Sequence, residues 1–180
     1  MEMQPSPARI ALKWGLLTAL VAILTTSIRY WSGHYFSFGF PLLTLGIMLA
    51  GLVMAMRELR TQNGGYMTYK EGLSLGVLMF AVIGLLDTSY TMIYQTFVDP
   101  NTVAKTLSQT RDFMEGFNVP DDQLEKYDEQ MAALADQSKK GVSGVTFITG
   151  IFMQIFWGFL LSLLVSGILS RKKDPFNREQ

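Results

Sequence analysis

Few residues of this chain are able to do chemistry, and the one that stands out is Asp87. It lies inside Tyr66–Val98, read YMTYKEGLSLGVLMFAVIGLLDTSYTMIYQTFV, which opens with a helix start signal and then runs as apolar sequence longer than a bilayer is thick. A carboxylate in hydrocarbon is costly unless paired or protonated. It therefore marks either an internal pair or a site for an ion, a proton or a polar headgroup. Asp87 lies 15 residues past Gly72, ~22 Å along a helix that must cross a ~30 Å core. Gln154, nine residues past Val145, lies ~13 Å from the opposite face by the same rise, at a similar depth. Arg29 ends the first apolar run somewhat nearer that face, with a side chain long enough to reach back. The expectation is one buried polar cluster of Asp87, Arg29 and Gln154, joined by Thr91 or Tyr94. Such a cluster either fixes helix register or forms a site.

The remaining reactive residues suggest less. There is no Cys and a single His, which excludes disulfides, zinc–thiolate sites and thiol nucleophiles. One intramembrane carboxylate and one histidine give no matched acid and base. His34 reads as an exposed residue of a short loop. Asp121, Asp122, Glu125, Asp128 and Glu129 are scattered by helical spacing and read as a solvated face. Asn63-Gly64-Gly65 is a turn, since no phosphate-loop Lys-Ser/Thr follows. Arg171-Lys172-Lys173 reads as a topology anchor, because lipid-recognition clusters use about four to eight charges. No catalytic residue, metal, cofactor or nucleic-acid partner is expected.

The elements that must position Asp87 are four apolar runs. Ile10–Trp31 contains 22 residues with only Lys13 and Arg29 charged, and Phe38–Met56 contains 19 with none. Gly72–Val98 and Val145–Leu169 complete the set, and each is long enough to span a bilayer. A cleaved signal peptide is the rival reading of the first run, but no small-x-small cleavage site follows it. Ser6-Pro7 reads as a helix start. Thr68-Tyr69-Lys70-Glu71 reads as a capping box opening the third span. Asp99-Pro100 ends that span and starts another helix, with Asp as N-cap. Between about 99 and 142 the chain is polar. Val103, Leu107, Met114 and Phe117, then Leu124, Tyr127, Met131 and Leu134, repeat at helical spacing. Gly116–Pro120 separates them, giving a helical hairpin outside the bilayer. The fold class is thus an all-α, four-span membrane bundle forming a single domain, with a helical hairpin between the third and fourth spans.

Three small-residue stripes run along the spans. Gly15, Ala19 and Ala22 share a face of the first, leading to Thr26 and Arg29. Gly76, Phe80, Gly84 and Asp87 share one on the third. Gly150, Gln154, Gly158, Ser162 and Ser166 step by four on the fourth. Small residues at this spacing let membrane helices approach closely.

Charge sets the orientation. Of 15 acidic residues, nine fall between Asp99 and Asp136, while Lys and Arg flank the other ends. Short basic flanks stay cytoplasmic, so both termini are expected inside. Tyr66 and Tyr69 on one side, and Tyr30, Trp31 and Tyr35 on the other, fit interfacial belts.

The Met-Thr-Tyr-Lys-Glu-Gly motif at Met67–Gly72 and the Phe-Val-Asp-Pro exit at Phe97–Pro100 complete a pattern with the basic-flanked first span. This pattern resembles the bacterial membrane family catalogued as domain of unknown function 4199. The resemblance covers nearly the whole chain. It implies four helices in a Gram-negative inner membrane and no assigned activity. The expected function is that of a non-enzymatic accessory or scaffold protein. It would associate with itself as a homo-oligomer, or with a membrane enzyme of envelope biosynthesis, within the lipid bilayer. The alternative is a small oligomeric transporter or channel with Asp87 lining its path.

Overall fold

The computed structural model describes residues 6–37, 39–139 and 143–171. Phe38 at the start of the second run, Gly141 before the fourth, and Lys172 and Lys173 lie outside them. Among the described residues six α-helices follow in order: α1 (Pro7–Trp31), α2 (Gly39–Gln62), α3 (Tyr69–Ile93), α4 (Thr102–Gly116), α5 (Asp121–Lys139) and α6 (Gly144–Leu169). A π-helical turn, Tyr94–Val98, extends α3. Four helices, α1, α2, α3 with its extension, and α6, are long and apolar enough to cross a membrane. The protein is an all-helical, multi-pass membrane protein with a hairpin, α4–α5, between its third and fourth spans.

Local chemistry explains where the helices begin and end. Ser6 is the N-cap of α1 and Pro7 its first residue, although the Ser6 side chain makes no capping bond. The second helix runs on past Met56 to Gln62. It stops where Gly64 and Gly65 take φ of 68° and 92°, a left-handed backbone that glycine adopts without strain. At Thr68 the capping box is complete: the Thr68 N–H donates to Glu71 at 2.7 Å, and the Glu71 N–H donates to the Thr68 hydroxyl at 3.3 Å. The third span ends on a bond from the Asp99 N–H to the Tyr94 carbonyl at 2.9 Å.

Asp99 is not the N-cap of the next helix. That position is Asn101, and its side chain makes no cap bond. The Asp99 carboxylate instead accepts the Asn101 N–H at 3.1 Å, and Tyr35 and Lys105 claim its other oxygen.

Two halves of the bundle pack differently. At the end carrying the termini, Leu52, Ala55, Met56 and Leu59 of α2 meet Leu75, Met79 and Phe80 of α3 in a fully buried core. Every buried residue of α2 lies between Gly51 and Leu59, and every buried residue of α6 between Gly158 and Ser166. Toward the hairpin end, α2 and α6 therefore bury no residue, and a cavity opens between them.

The pair α3–α6 is the most regular contact. Cβ atoms built on the glycines show it rung by rung. Gly72 faces Ser166, Gly76 faces Ser162, Phe80 faces Gly158, Gly84 faces Gln154 and Thr88 faces Gly150. Both helices step by four and run antiparallel, and each rung has a glycine on one side. Without that glycine, the partner side chain would occupy the space of a Cβ. The register continues beyond the helices: Met67 and Arg171 form an antiparallel bridge with bonds of 3.2 and 2.8 Å.

In α1, Gly15 lies against the Met79 carbonyl and Val82 of α3, while Ala19 and Ala22 are buried. Near the termini end, Glu58 of α2 accepts from Lys13 at 2.8 Å and from the Trp14 indole at 2.7 Å.

Candidate functional site

The cavity measures about 700 Å³. α1 contributes Thr25, Thr26 and Arg29; α2 contributes Thr44, Leu45 and Met48; α3 contributes Phe80 and Asp87; α6 contributes Gln154, Trp157 and Leu161. Phe80, buried in the core, is its floor. Pro41, Leu45 and Trp157 line it and are exposed on the flank of the bundle, so it opens sideways between α2 and α6. Most of its lining is apolar.

Three of the polar residues singled out from sequence, Arg29, Asp87 and Gln154, line this one cavity. Their depths follow from the α3–α6 ladder. Asp87 falls between the Gly84–Gln154 and Thr88–Gly150 rungs. Thr91 and Tyr94 are not among its lining residues. Tyr94 instead stacks on Tyr30 with ring centroids 4.4 Å apart, and Tyr30 stacks on Tyr35 at 5.8 Å. Below them the Tyr90 hydroxyl bonds Ser27 at 2.7 Å. Tyr30 and Tyr35 are thus buried between elements, while Trp31 is 91% exposed on the flank.

Arg29 does not reach back to Asp87. It donates to the Tyr35 carbonyl at 3.3 Å, and its guanidinium carbon lies 4.9 Å from the centre of the Tyr30 ring. Among the described residues Asp87 makes no hydrogen bond and no ion pair. Gln154 donates only to the Met48 sulfur, at 3.6 Å, a weak acceptor. Asp87 and Gln154 line the same space, the first with acceptors only and the second with an amide that both accepts and donates. Arg29 lines the same space, with one N–H on the Tyr35 carbonyl and the Tyr30 side chain as its other neighbour.

The loop between α1 and α2, which carries the carbonyl that holds Arg29, is fastened from outside by α4. Gln109 accepts the Phe36 N–H at 2.8 Å and donates to the Gly33 carbonyl at 2.7 Å. Tyr35 donates to Asp99 at 2.9 Å, and Lys105 donates to the same oxygen at 2.7 Å while lying over the Tyr35 ring. The Lys105 hydrogen bond holds the Asp99 carboxyl below the usual carboxylate range, helped by Tyr35 and the Asn101 N–H. Asp99 in turn pushes Lys105 up. This fastening joins residues 64 to 76 positions apart, and no local sequence signal marked it.

The other candidates are plainly placed. His34 is exposed, with Nδ1 2.9 Å from the Ser32 carbonyl. In the hairpin, Arg111 bridges to Asp128 at 2.8 Å and Tyr127 donates to the Leu107 carbonyl at 3.3 Å. Leu124 is buried, but Phe117 and Leu134 of the predicted stripes are exposed. Among the described residues no group of three or more His, Asp or Glu is placed to hold a metal ion.

A family model described as Protein of unknown function (DUF4199) matches residues 13–171. The chain belongs to this family. Searches of curated proteins and of solved structures returned no match. The matched region of this DUF4199 protein holds the first span from Lys13 onward, the other three spans, the hairpin and every polar residue of the cavity.

Proposed function

We propose that this DUF4199 protein is a non-enzymatic protein of a bacterial inner membrane, with both termini cytoplasmic, that holds a polar-headed amphiphile in the cavity between α2 and α6. One observation carries the reading. The Asp87 carboxylate lines a laterally open, mostly apolar cavity and, among the described residues, makes no hydrogen bond and no ion pair, with Arg29 acting on it only through space. A carboxylate in that setting is costly unless something polar meets it. An apolar wall with a few convergent polar groups is the usual character of a small-molecule site. A sideways mouth admits a molecule already in the bilayer.

Native mass spectrometry of the protein released from bilayer nanodiscs tests this. The wild type retains a bound amphiphile, and Thr44→Trp, which fills the cavity, does not. Equal retention by the two, or no retention by the wild type, removes the reading.

A second reading is an accessory subunit for a membrane enzyme of envelope biosynthesis. The exposed acidic face of α5, with Asp121, Asp122, Glu125, Asp128 and Glu129 in solvent, supports it. Retention of a second protein in the same spectra, lost on deleting the hairpin face charges, would favour it. The stripes on α3 and α6 give this reading little support, because they face each other inside the chain.

A further inference from the structure

We infer that the cavity selects a zwitterionic aminophosphate headgroup, with a primary ammonium at Asp87 and a phosphate at Arg29. This rests on the cavity being the binding site. It adds the chemistry of the ligand, which follows from how the two charges are held.

Opposite charges in a space of low dielectric attract strongly. Here they line one cavity and do not meet, because Arg29 is fixed elsewhere. The Tyr35 carbonyl takes one of its N–H groups and the Tyr30 ring lies beneath it. The loop carrying that carbonyl is fastened by Gln109, and its Tyr35 side chain by Asp99 and Lys105. A guanidinium fixed in this way at the edge of a cavity is suited to a phosphate, which its planar fork of N–H groups can meet. The Asp87 carboxylate offers acceptors and no donor, and Gln154 adds a side-chain carbonyl oxygen beside the amide N–H that goes to Met48, which suits a cation carrying several N–H groups. A primary ammonium has three. Trp157 and Phe40 add ring faces that favour a cation.

The positions also fit a lipid. Arg29 is near the hairpin end of its helix and Asp87 lies deeper on α3. Leu45 and Trp157 at the mouth offer apolar surface to acyl chains. A lipid carrying only a phosphate would leave Asp87 unmatched, and a simple cation would leave Arg29 unmatched.

The test is native mass spectrometry in mild detergent with phosphatidylethanolamine and phosphatidylglycerol of identical chains in equal amounts. Matching one charge-assisted contact predicts about a tenfold preference for the ethanolamine lipid. Asp87→Asn abolishes the preference, and Asp87→Glu keeps it. Arg29→Gln weakens both lipids equally, since both carry the phosphate. Soluble phosphoethanolamine identifies the source. If it displaces the lipid at millimolar concentration, the headgroup alone is recognised; if it does not, the bilayer lipid is the ligand. A wild type that binds both lipids equally, or a preference that survives in Asp87→Asn, overturns the headgroup assignment. Binding blocked by Thr44→Trp would then still leave the cavity as a site. No lipid retained by any form overturns both.

Discussion

Asp87 and Arg29 bring opposite charges into one cavity and make no ion pair, because Tyr35 and Tyr30 hold the guanidinium away. Breaking a true buried pair costs about 3–5 kcal/mol, since the surviving charge is left uncompensated. Asp87→Asn should instead leave the thermal midpoint unchanged or raise it, by about 1 kcal/mol in stability, because a desolvated charge is removed and no hydrogen bond or ion pair is lost. Scanning fluorimetry in detergent measures this. A loss of several kcal/mol would show that Asp87 has a strong protein partner.

The α3–α6 ladder makes a sharper prediction. At Gly158 a Cβ would fall on the Phe80 side chain, so Gly158→Ala should destabilise by about 1–3 kcal/mol. Gly167, with no neighbour within 4 Å of a Cβ, should tolerate Ala or gain up to about 1 kcal/mol from helix propensity. At the neighbouring rung, Gly76→Ser alone should destabilise, and adding Ser162→Gly should restore the loss. A double-mutant cycle by chemical unfolding reads the coupling.

How far the sequence reaches is visible in these same residues. Both stripes, Gly76–Phe80–Gly84 and Gly150–Gln154–Gly158–Ser162–Ser166, are legible as steps of four. Their mutual register is not, because it depends on which small residue admits which larger one. The capping box at Thr68 and Glu71 was legible because both partners are three residues apart. Asp99 misleads for the opposite reason. As a residue before proline it looks like an N-cap, but Tyr35 and Lys105, distant or across a turn, capture its carboxylate. Arg29 was legible as a neighbour of the cavity but not as a residue held by Tyr35. The outcome depended on a loop conformation that no periodicity records.

The Asp99–Lys105–Tyr35 fastening should depend on pH at both ends. In the folded chain the Asp99 carboxyl titrates lower than when unfolded. Its contribution is therefore present above its ordinary value of about 3.9 and lost as pH falls through the folded value. Lys105 titrates higher when folded, so its contribution is complete below about 10.4 and lost as pH rises through the folded value. Hydrogen exchange of the Phe36 amide, which is bonded to Gln109 at 2.8 Å, reports on the docked loop. Exchange corrected for intrinsic rate should stay slow at neutral pH and speed up toward either extreme. Asp99→Asn should remove the acid-side change.

Glu58 should matter more than its most obvious partner. Lys13 is 55% exposed at its side chain, and such a pair is worth about 0–1 kcal/mol. The Trp14 indole is only half-buried, yet its bond to Glu58 is charge-assisted and short, at 2.7 Å. Lys13→Ala should therefore cost under about 1 kcal/mol, and Glu58→Ala about 1.5–3 kcal/mol. Thermal unfolding of the two variants side by side settles the order.

The helix that packs along the glycine ladder of α3 follows it only after an intervening hairpin. α3 presents Gly72, Gly76 and Gly84 to a partner that follows only after the whole α4–α5 hairpin. Without α6, the glycine face of α3 has no partner within the chain. The cavity does not yet exist, since Gln154, Trp157 and Leu161 form one of its walls. During biosynthesis the site is thus assembled late and from the side. Its final closure is the bridge of Arg171 to Met67, made when the chain has come back to the membrane face from which α3 set out.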